Sequence, residues 1–272
     1  MKNLFFILFL TSAIFSQSLF NSFNYKNTSL DVVINPVSIA MGESFVANYF
    51  SPSSFIENPA NLFQKNNTTL FYHTRSFNWI SETETFKYKS VGGTLKLQIG
   101  DFGIAYNEFH AGKSLFNSQS DERNSTLIFS LSKLIFKNFN AGVNLKFFDH
   151  KRISDLGIGL NLESNTAILL DFGLLYSVFK YSSLKSQHEV TIGTTLQNFG
   201  TDYKEKDFIF SNDYRIVRLP RYFKIGFAYN LQFKSNETKN DFQILLTGNY
   251  KSLLNPLKKE IGDVDYWGIG TQ

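Results

Sequence analysis

The sequence predicts an all-β protein that folds as a transmembrane antiparallel β-barrel of the outer-membrane type. Three observations lead there: several segments alternate between apolar and polar residues, an export signal precedes them, and no apolar run downstream could form a spanning helix. The clearest segment is 223–233, where alternate residues are large and apolar: Phe223, Ile225, Phe227, Tyr229, Leu231 and Phe233. The residues between them are small or polar: Lys224, Gly226, Ala228, Asn230 and Gln232. Such a strand suits lipid on one side and a wet or plugged interior on the other.

Composition and charge fit this class and exclude others. The chain has 272 residues, of which 17% are aromatic and 18% charged, and its mean hydropathy is -0.16. That value is too polar for a helical membrane protein but ordinary for a barrel with a polar interior. The net charge is +4, and the sequence has no runs of Lys or Arg long enough to bind the phosphates of a nucleic acid. We therefore expect no nucleic-acid partner. The lack of Cys excludes disulfides and thiolate metal sites, and we expect no cofactor.

The N-terminus has the pattern of a secretory signal peptide. Lys2 precedes an apolar run from Leu4 to Phe15, and the small residues Ser16 and Ser18 follow. The run is about 12 residues long, short of the roughly 20 that a spanning helix requires. We therefore assign residues 1–18 to a signal peptide; the alternatives are an uncleaved anchor or a buried helix.

Residues 19–65 are predicted to form a periplasmic or plug-like segment. In its second part, Ser51 can cap a short helix with Pro52 at the first position, and we expect Pro59 to end that helix. The Asn58-Pro59-Ala60 run breaks a helix, and the Asn58 side chain can satisfy backbone groups that the break leaves free. Residues 36–65 are thus expected to fold inward; the alternative is a simple chain reversal into the first strand.

Residues 66–272 are predicted to form the barrel, as a succession of strands separated by turn residues. Lengths near 9–11 residues suit a tilted membrane strand, and Gly100-Asp101 is a hairpin signal. The predicted strands are 69–78, 82–90, 93–99, 102–109, 126–131, 139–148, 169–178, 189–198, 221–233, 242–250 and 264 onward. The rival architecture is a secreted β-sandwich or propeller, which would hide its apolar faces in a water-soluble core.

The connections differ in length, as in outer-membrane barrels, where short turns alternate with longer loops. Residues 199–220 are expected to be a long loop rich in Asp, Lys and Asn. The strand pattern is still running at Gln272. Because an open barrel would leave unpaired backbone groups in lipid, we expect a barrel that is incomplete at the C-terminus, with about ten strands present and about two to four missing.

No constellation of catalytic or metal-binding residues emerges. The four His residues lie far apart in the sequence and lack a second ligand at metal spacing. Asp149 and His150, near Ser154, cannot orient each other as a triad requires, because neighbours on a strand face opposite ways. Gly157-Ile158-Gly159 lacks the third glycine and the helix of a dinucleotide site. We expect a protein that is not an enzyme.

Two motifs of the N-terminal segment resemble those of the PorV/PorQ branch of the FadL-like outer-membrane proteins. They are Ile39-Ala40-Met41-Gly42-Glu43-Ser44-Phe45-Val46-Ala47 and Glu57-Asn58-Pro59-Ala60-Asn61-Leu62. Two strand segments, Leu170 to Tyr176 and Gly193 to Gly200, are similar to the family as well. The resemblance covers roughly residues 36–272. Glu43 departs from the pattern, since the family usually has Gly there.

The resemblance implies a fold, a location and a role. The family fold is a barrel of fourteen strands with an N-terminal segment folded inward, in the outer membrane of a Gram-negative-type bacterium, so membrane lipid is one expected partner. The implied role is a component of type IX protein secretion or surface-protein attachment, with secretion proteins or cargo as partners. The alternative role is a FadL-like transporter that binds a hydrophobic ligand. The residues expected to shape the inward segment, without doing chemistry, are Met41, Gly42, Asn58, Pro59 and Ala60.

Overall fold

The structure is a computed structural model that describes most of the chain. It covers residues 28–30, 32–33, 35–64, 68–77, 86–114, 117–154, 161–163, 166–183, 186–206, 214–233, 242–254 and 266–271. The predicted signal peptide, 1–18, and the Gly157–Gly159 motif lie outside these ranges.

The described residues form one large antiparallel sheet, which confirms the all-β prediction. Ten strands follow one another in the order β1-β2-β3-β4-β5-β7-β8-β11-β12-β13, while β6 pairs with β5, and β9 and β10 pair with each other in a second sheet. The strands are β1 Thr69–Phe77, β2 Phe86–Leu97, β3 Gly100–Ser114, β4 Asn117–Phe136, β5 Phe139–Ser154, β6 Asn161–Glu163, β7 Ala167–Ser182, β8 Ser186–Gly200, β9 Tyr203–Lys206, β10 Tyr214–Val217, β11 Tyr222–Phe233, β12 Phe242–Leu253 and β13 Tyr266–Thr271. Over the described residues, no ladder joins β1 to β13.

Helices are short and confined to the N-terminal segment. Helix α1 spans Pro36–Ala40, and 3-10 helices span Thr28–Leu30, Ser54–Ile56 and Pro59–Gln64. No helix in the described part of the chain is both long and apolar enough to cross a membrane.

The strands bury their polar face and expose their apolar face, as the alternation predicts. In β11, Lys224, Ala228 and Asn230 are buried, whereas Ile225 and Phe227 are exposed. The first eleven residues of β7 alternate without exception between buried and exposed. This is the reverse of a water-soluble sheet, in which the buried face is the apolar one.

The sheet curves strongly around the N-terminal segment. The Phe55 ring lies 6.1 Å from the Phe71 ring of β1, while the Phe55 carbonyl accepts a hydrogen bond of 3.0 Å from Asn144 of β5. In a flat sheet, strands four places apart would be about 19 Å from each other. One residue touches both, so the wall bends around it. We call residues 35–64 the inner segment and the strand face that meets it the inner face.

The strands differ in detail from their predicted bounds. Residues 82–90 and 93–99 are not two strands, because pairing continues through Gly92 and Gly93, which lie opposite Phe71 and Leu70. A Cβ on Gly92 would lie 2.6 Å from the Phe71 ring, so these glycines make room for neighbouring side chains and do not end the strand. The β2–β3 turn falls at residues 98–99, before the predicted Gly100-Asp101. Strands β3, β4, β5, β7 and β8 all exceed the expected length.

The prediction of a plain loop for 199–220 is wrong for its described residues. β8 continues to Gly200, and β9 and β10 then form a hairpin. Tyr203, Val217 and Leu219 are buried against Phe148, Ala167 and Leu169. The apolar residues of this polar stretch therefore fold back over the inner face.

The prediction that Ser51 caps a helix that Pro59 ends is also wrong. The Ser51 hydroxyl bonds to the Ser53 hydroxyl, and the 3-10 helix begins only at Ser54. Pro59 begins the next 3-10 helix instead, since its fixed φ and missing N–H suit a first helical position. Asn35-Pro36 repeats the arrangement at α1, where the Asn35 side chain accepts a hydrogen bond from the Val37 amide.

We predict that Gly142→Ala destabilises the fold by about 1–3 kcal/mol, because the inner segment lies against this glycine. A Cβ on Gly142 would lie 2.5 Å from the Pro59 carbonyl carbon, and backbone cannot easily give way. The measurement is thermal unfolding in detergent followed by far-UV circular dichroism. The control is Gly248→Ala, whose Cβ would meet only the exposed ring of Phe227, which can turn aside. Equal losses in both variants would contradict this account of the packing.

Candidate functional site

Asn58 joins three parts of the structure. Its side-chain amide donates to the carbonyls of Val46 at 2.8 Å and Leu174 of β7 at 3.2 Å. Its side-chain oxygen accepts from the amide of Ala60 at 3.0 Å, which caps the helix that begins at Pro59. Asn58 is fully buried. One side chain thus fixes the turn within the inner segment and ties it to the wall.

Pro59 and Ala60 lie where the wall carries no side chain. A Cβ on Gly142 of β5 or on Gly173 of β7 would overlap the backbone or ring atoms of Pro59, or the Asn58 side chain. Ala60 is fully buried, and its carbonyl accepts a hydrogen bond of 3.5 Å from Ser132 of β4. The two glycines therefore allow the inner segment to approach the wall at backbone distance.

Met41 and Gly42 form the end of α1. Met41 is fully buried in a cluster with Phe45, Ala60 and residues of three strands. Gly42 has φ 60, which lets the chain turn back so that the Glu43 amide donates to the Ser38 carbonyl at 2.8 Å. Glu43, the departure from the family pattern, has φ 62, a conformation that favours glycine. The structure thus brings all five predicted residues into one buried segment.

Asn61 is a site residue that the sequence reasoning missed. It is buried, and its side-chain amide donates to the carbonyls of Phe45 at 3.3 Å, Val46 at 3.5 Å and Asn48 at 3.0 Å. With Asn58 it holds the strip 45–48, whose carbonyls have no helix or sheet of their own. Its position three residues after Asn58, on the next turn of the same helix, was the available signal.

The wall supplies further hydrogen bonds that no local pattern could predict. Gln197 of β8 donates to the Glu57 carbonyl at 2.7 Å, and Thr191 of β8 donates to the Ala47 carbonyl at 2.8 Å. The Ser44 hydroxyl donates to the side chain of Asn249 of β12 at 3.0 Å. These contacts distribute the attachment of the inner segment over the curved sheet.

Two acidic residues, Glu57 and Glu189, make contacts between the inner segment and the wall. The Glu57 carboxylate lies 3.0 Å from the Lys224 ammonium of β11, and both side chains are nearly buried. The Tyr49 hydroxyl donates to the Glu189 carboxylate of β8. Burial, the hydrogen bond and the charge of Glu189 together raise the pKa of Tyr49 well above its usual range, so Tyr49 stays protonated and remains the donor.

A buried ionic network lies on the inner face beside the segment. The Lys146 ammonium of β5 is 2.7 Å from the Asp171 carboxylate of β7, which also accepts from the Asn144 side chain and the Asn198 amide. Lys146 donates further to the Asn198 side chain at 3.0 Å. Because each charge is paired and hydrogen-bonded, the network meets the condition for burying ions.

A small polar cavity lies between residues 29–32 and the 3-10 helix that starts at Ser54. Its volume is about 30 Å³, room for roughly two water molecules. Strands β2, β3, β4, β5, β8 and β11 contribute to its lining, whose polar members include Glu57, Tyr88, Asn107, Thr126, Lys146, Gln197 and Lys224. The cavity can hold water, but it is too small and too polar for a long apolar ligand.

The arrangement offers no catalytic constellation in the described part of the chain. Asp149 bonds to Thr166 on an exposed site, whereas His150 is buried and bonds to Asn124, so the two side chains diverge as strand geometry requires. No group of three or more His, Asp or Glu side chains that could hold a metal occurs among the described residues.

Comparison with known proteins adds no relative. No protein-family model matches the chain, and no curated protein matches it either. The resemblance to the PorV/PorQ branch rests on the motifs alone.

We predict that Asn58→Ala loosens the inner segment while leaving the strands paired. The variant leaves the Val46 carbonyl and the Ala60 amide without that partner, a loss of about 1–3 kcal/mol for buried groups. Hydrogen exchange of the detergent-solubilised protein should show roughly tenfold or faster exchange over residues 41–64. The control is Asn230→Ala, a buried wall residue whose side chain bonds to Gln243 of the neighbouring strand. Unchanged exchange in the Asn58 variant would refute its anchoring role.

Proposed function

We propose that this protein is an outer-membrane β-barrel with a closed interior, which serves as a binding component for other proteins. The observation that carries the membrane assignment is the reversed polarity of the sheet. Large apolar side chains are exposed on eight strands of the large sheet, β1, β2, β3, β4, β7, β8, β11 and β12, among them Leu70, Val91, Ile104, Leu131, Phe172, Ile192, Phe227 and Leu246, and those on the outer face of β5 are half-buried. So large an exposed apolar surface is unfavourable in water and suits lipid.

The register of the sheet arranges these residues in continuous rows. One row runs Tyr72, Val91, Tyr106, Leu127, Phe147 and Ile168 across six neighbouring strands. Along β5 the outward apolar residues extend from Phe139 to Phe147, which is roughly 27 Å along a strand and about 20 Å along the membrane normal at a tilt near 40°. That height is close to the roughly 25 Å apolar band of membrane barrels.

The lengths of most connections between the strands also support the assignment to an outer-membrane barrel. At one end, residues 98–99, 137–138 and 183–185 join β2 to β3, β4 to β5 and β7 to β8. At the other end, residues 155–166 and 201–221 join β5 to β7 and β8 to β11, and include β6 and the β9–β10 hairpin. Residues 234–241 at the first end and 115–116 at the second are exceptions in length. Short turns on the periplasmic side and longer loops outside are typical of outer-membrane barrels.

The filled interior favours an interaction role over transport of hydrophobic molecules. The inner face carries Asn, Ser, Thr, Lys and Asp side chains, and its apolar residues are covered by the inner segment and the β9–β10 hairpin. The described cavity accommodates about two water molecules. A transporter of hydrophobic molecules needs an apolar pocket and a path. With the resemblance to the PorV/PorQ branch, this supports a component of type IX secretion or surface-protein attachment, with secretion proteins or cargo as partners. No catalytic role and no cofactor are part of the proposal.

We predict that the protein remains in the outer-membrane fraction after washing at high salt and alkaline pH, and enters solution only with detergent. Its exposed apolar rows would otherwise contact water. The measurement is immunoblotting of cell fractions. Recovery in the soluble periplasmic fraction without detergent would refute the barrel and favour a secreted β-sandwich or propeller.

We predict that locking the inner segment to the wall preserves the interaction role. The pair Val46→Cys and Gly226→Cys is suited, because a Cβ on Gly226 would lie 3.2 Å from that of Val46, close to the roughly 3.5–4.5 Å of disulfides. The chain has no other Cys, so the cross-link is unique. In a deletion strain, the oxidised variant should restore the display of surface proteins as well as the wild type does.

The alternative role gives the opposite result. If the deletion strain loses fatty-acid uptake and keeps its surface proteins, and the oxidised variant restores uptake only after reduction, the protein is a transporter whose inner segment must move. The single variants Val46→Cys and Gly226→Cys, treated with the same oxidant, separate the effect of the cross-link from that of either substitution.

A further inference from the structure

A row of basic residues crosses four neighbouring strands on the outer face. Lys87 of β2 lies opposite His110 of β3, His110 opposite Arg123 of β4, and Arg123 opposite Lys151 of β5. Lys87, Arg123 and Lys151 are exposed, and His110 is half-buried. We call these four residues the basic row. No short motif in the sequence contains them, since they come from four separate strands.

The basic row lies just beyond the apolar belt, toward the long-loop end. Next to it, one step closer to the belt, comes a mixed row of Lys89, Glu108, Ser125 and Asp149, and then the apolar row of Val91, Tyr106, Leu127 and Phe147. Lys87 lies four positions before Val91 along β2, a separation of roughly 10 Å along the membrane normal for a tilted strand. Lipid headgroups occupy roughly the first 5–7 Å beyond the hydrocarbon. Lys and Arg side chains are long enough to extend back into that layer.

The row places the positive charges of Arg123 and Lys151 directly opposite each other, which reduces the stability of the sheet. Side chains directly opposite on one face have Cβ atoms about 4.5–5.5 Å apart, and like charges in such pairs destabilise a sheet. Nearby carboxylates offset part of this charge, because Glu108 and Asp149 belong to the mixed row. The basic side chains nevertheless form an unbroken line across four strands. Because the strands tilt by about 40°, this line slopes, and Lys87 and Lys151 differ in height by roughly 9 Å.

We propose that the basic row binds the phosphate groups of anionic lipids at the surface of the leaflet on the long-loop side. This rests on the proposed membrane insertion, because it is the apolar belt that sets the height of the row. Long ammonium and guanidinium side chains can cover the slope of the row and reach a layer of lipid phosphates, which presents negative charge near the membrane surface. The row is then a lipid-binding site on the outer wall, separate from the inner segment.

The test compares two double variants that each remove one Lys and one Arg. Lys87→Gln with Arg123→Gln removes two charges from the basic row. Lys204→Gln with Arg218→Gln removes two from exposed positions on or beside the β9–β10 hairpin, away from the row. The full-length protein in non-ionic detergent is mixed with equal amounts of phosphatidylglycerol and phosphatidylcholine, and the retained lipids are measured by native mass spectrometry. We expect the wild type and the hairpin variant to prefer phosphatidylglycerol, and the row variant to lose that preference by roughly tenfold.

A third variant and a competitor complete the test. Lys87→Arg with Arg123→Lys keeps both charges and should retain the preference, which excludes a mere folding defect. An unchanged preference in the row variant, or an equal loss in the hairpin variant, overturns the proposal. Displacement of the lipid by inorganic phosphate at the same concentration also overturns it, because the site would then bind free phosphate and not lipid. Cell fractionation of the same variants tests membrane insertion independently. If a variant still requires detergent for extraction but has lost its lipid preference, membrane insertion is intact and the loss is due to the basic row.

Discussion

The close approach of the inner segment to the wall is the constraint on which the rest of the structure depends. Gly142, Gly173 and Gly193 leave the inner face bare where Asn58, Pro59 and the strip 46–47 pass, and a Cβ on any of the three would lie within 2.5 Å of segment atoms. At this distance water cannot enter, so the segment's backbone groups must find partners in the protein. The Asn side chains of the segment and the polar side chains of the wall meet that need.

The polar interior follows from this constraint. A buried charge is unfavourable alone and tolerable when it is paired. On the inner face, buried Lys146 pairs with Asp171, and buried Lys224 pairs with Glu57. Such pairs add little net stability. The pair of Glu57 with Lys224 joins the segment to the wall, so it penalises any other position of the segment, because displacement would leave both charges unpaired. The interior is therefore specified by hydrogen bonds and ion pairs, with apolar clusters around Met41 and Tyr203 on either side of them.

The outer face obeys a different rule, because its exposed side chains are mainly apolar. Its apolar rows have no covering element among the described residues, and their height matches the hydrocarbon of a membrane. Strands β3, β4 and β5 continue beyond those rows, so their outward residues change from apolar to charged along a single strand. In the proposed membrane, the same wall would pass from a lipid-facing to a headgroup-facing environment, which accounts for strands that exceed the length that spans a bilayer.

Local periodicity and turn and capping residues such as Asn58 and Pro59 were enough to predict which face of a strand is buried and that residues 36–65 differ from the strands. They could not predict which residues meet across the sheet, because that depends on contacts between distant parts of the chain. Register depends on the placement of every turn, so an error such as the division of β2 at Gly92-Gly93 hides the alignment of Lys87 with Arg123 and Lys151. Contacts such as Gln197 with Glu57 join residues far apart in the chain and arise only when the wall curves around the segment. The hairpin at 203–217 was missed for the same reason, since its few apolar residues are buried only by distant strands.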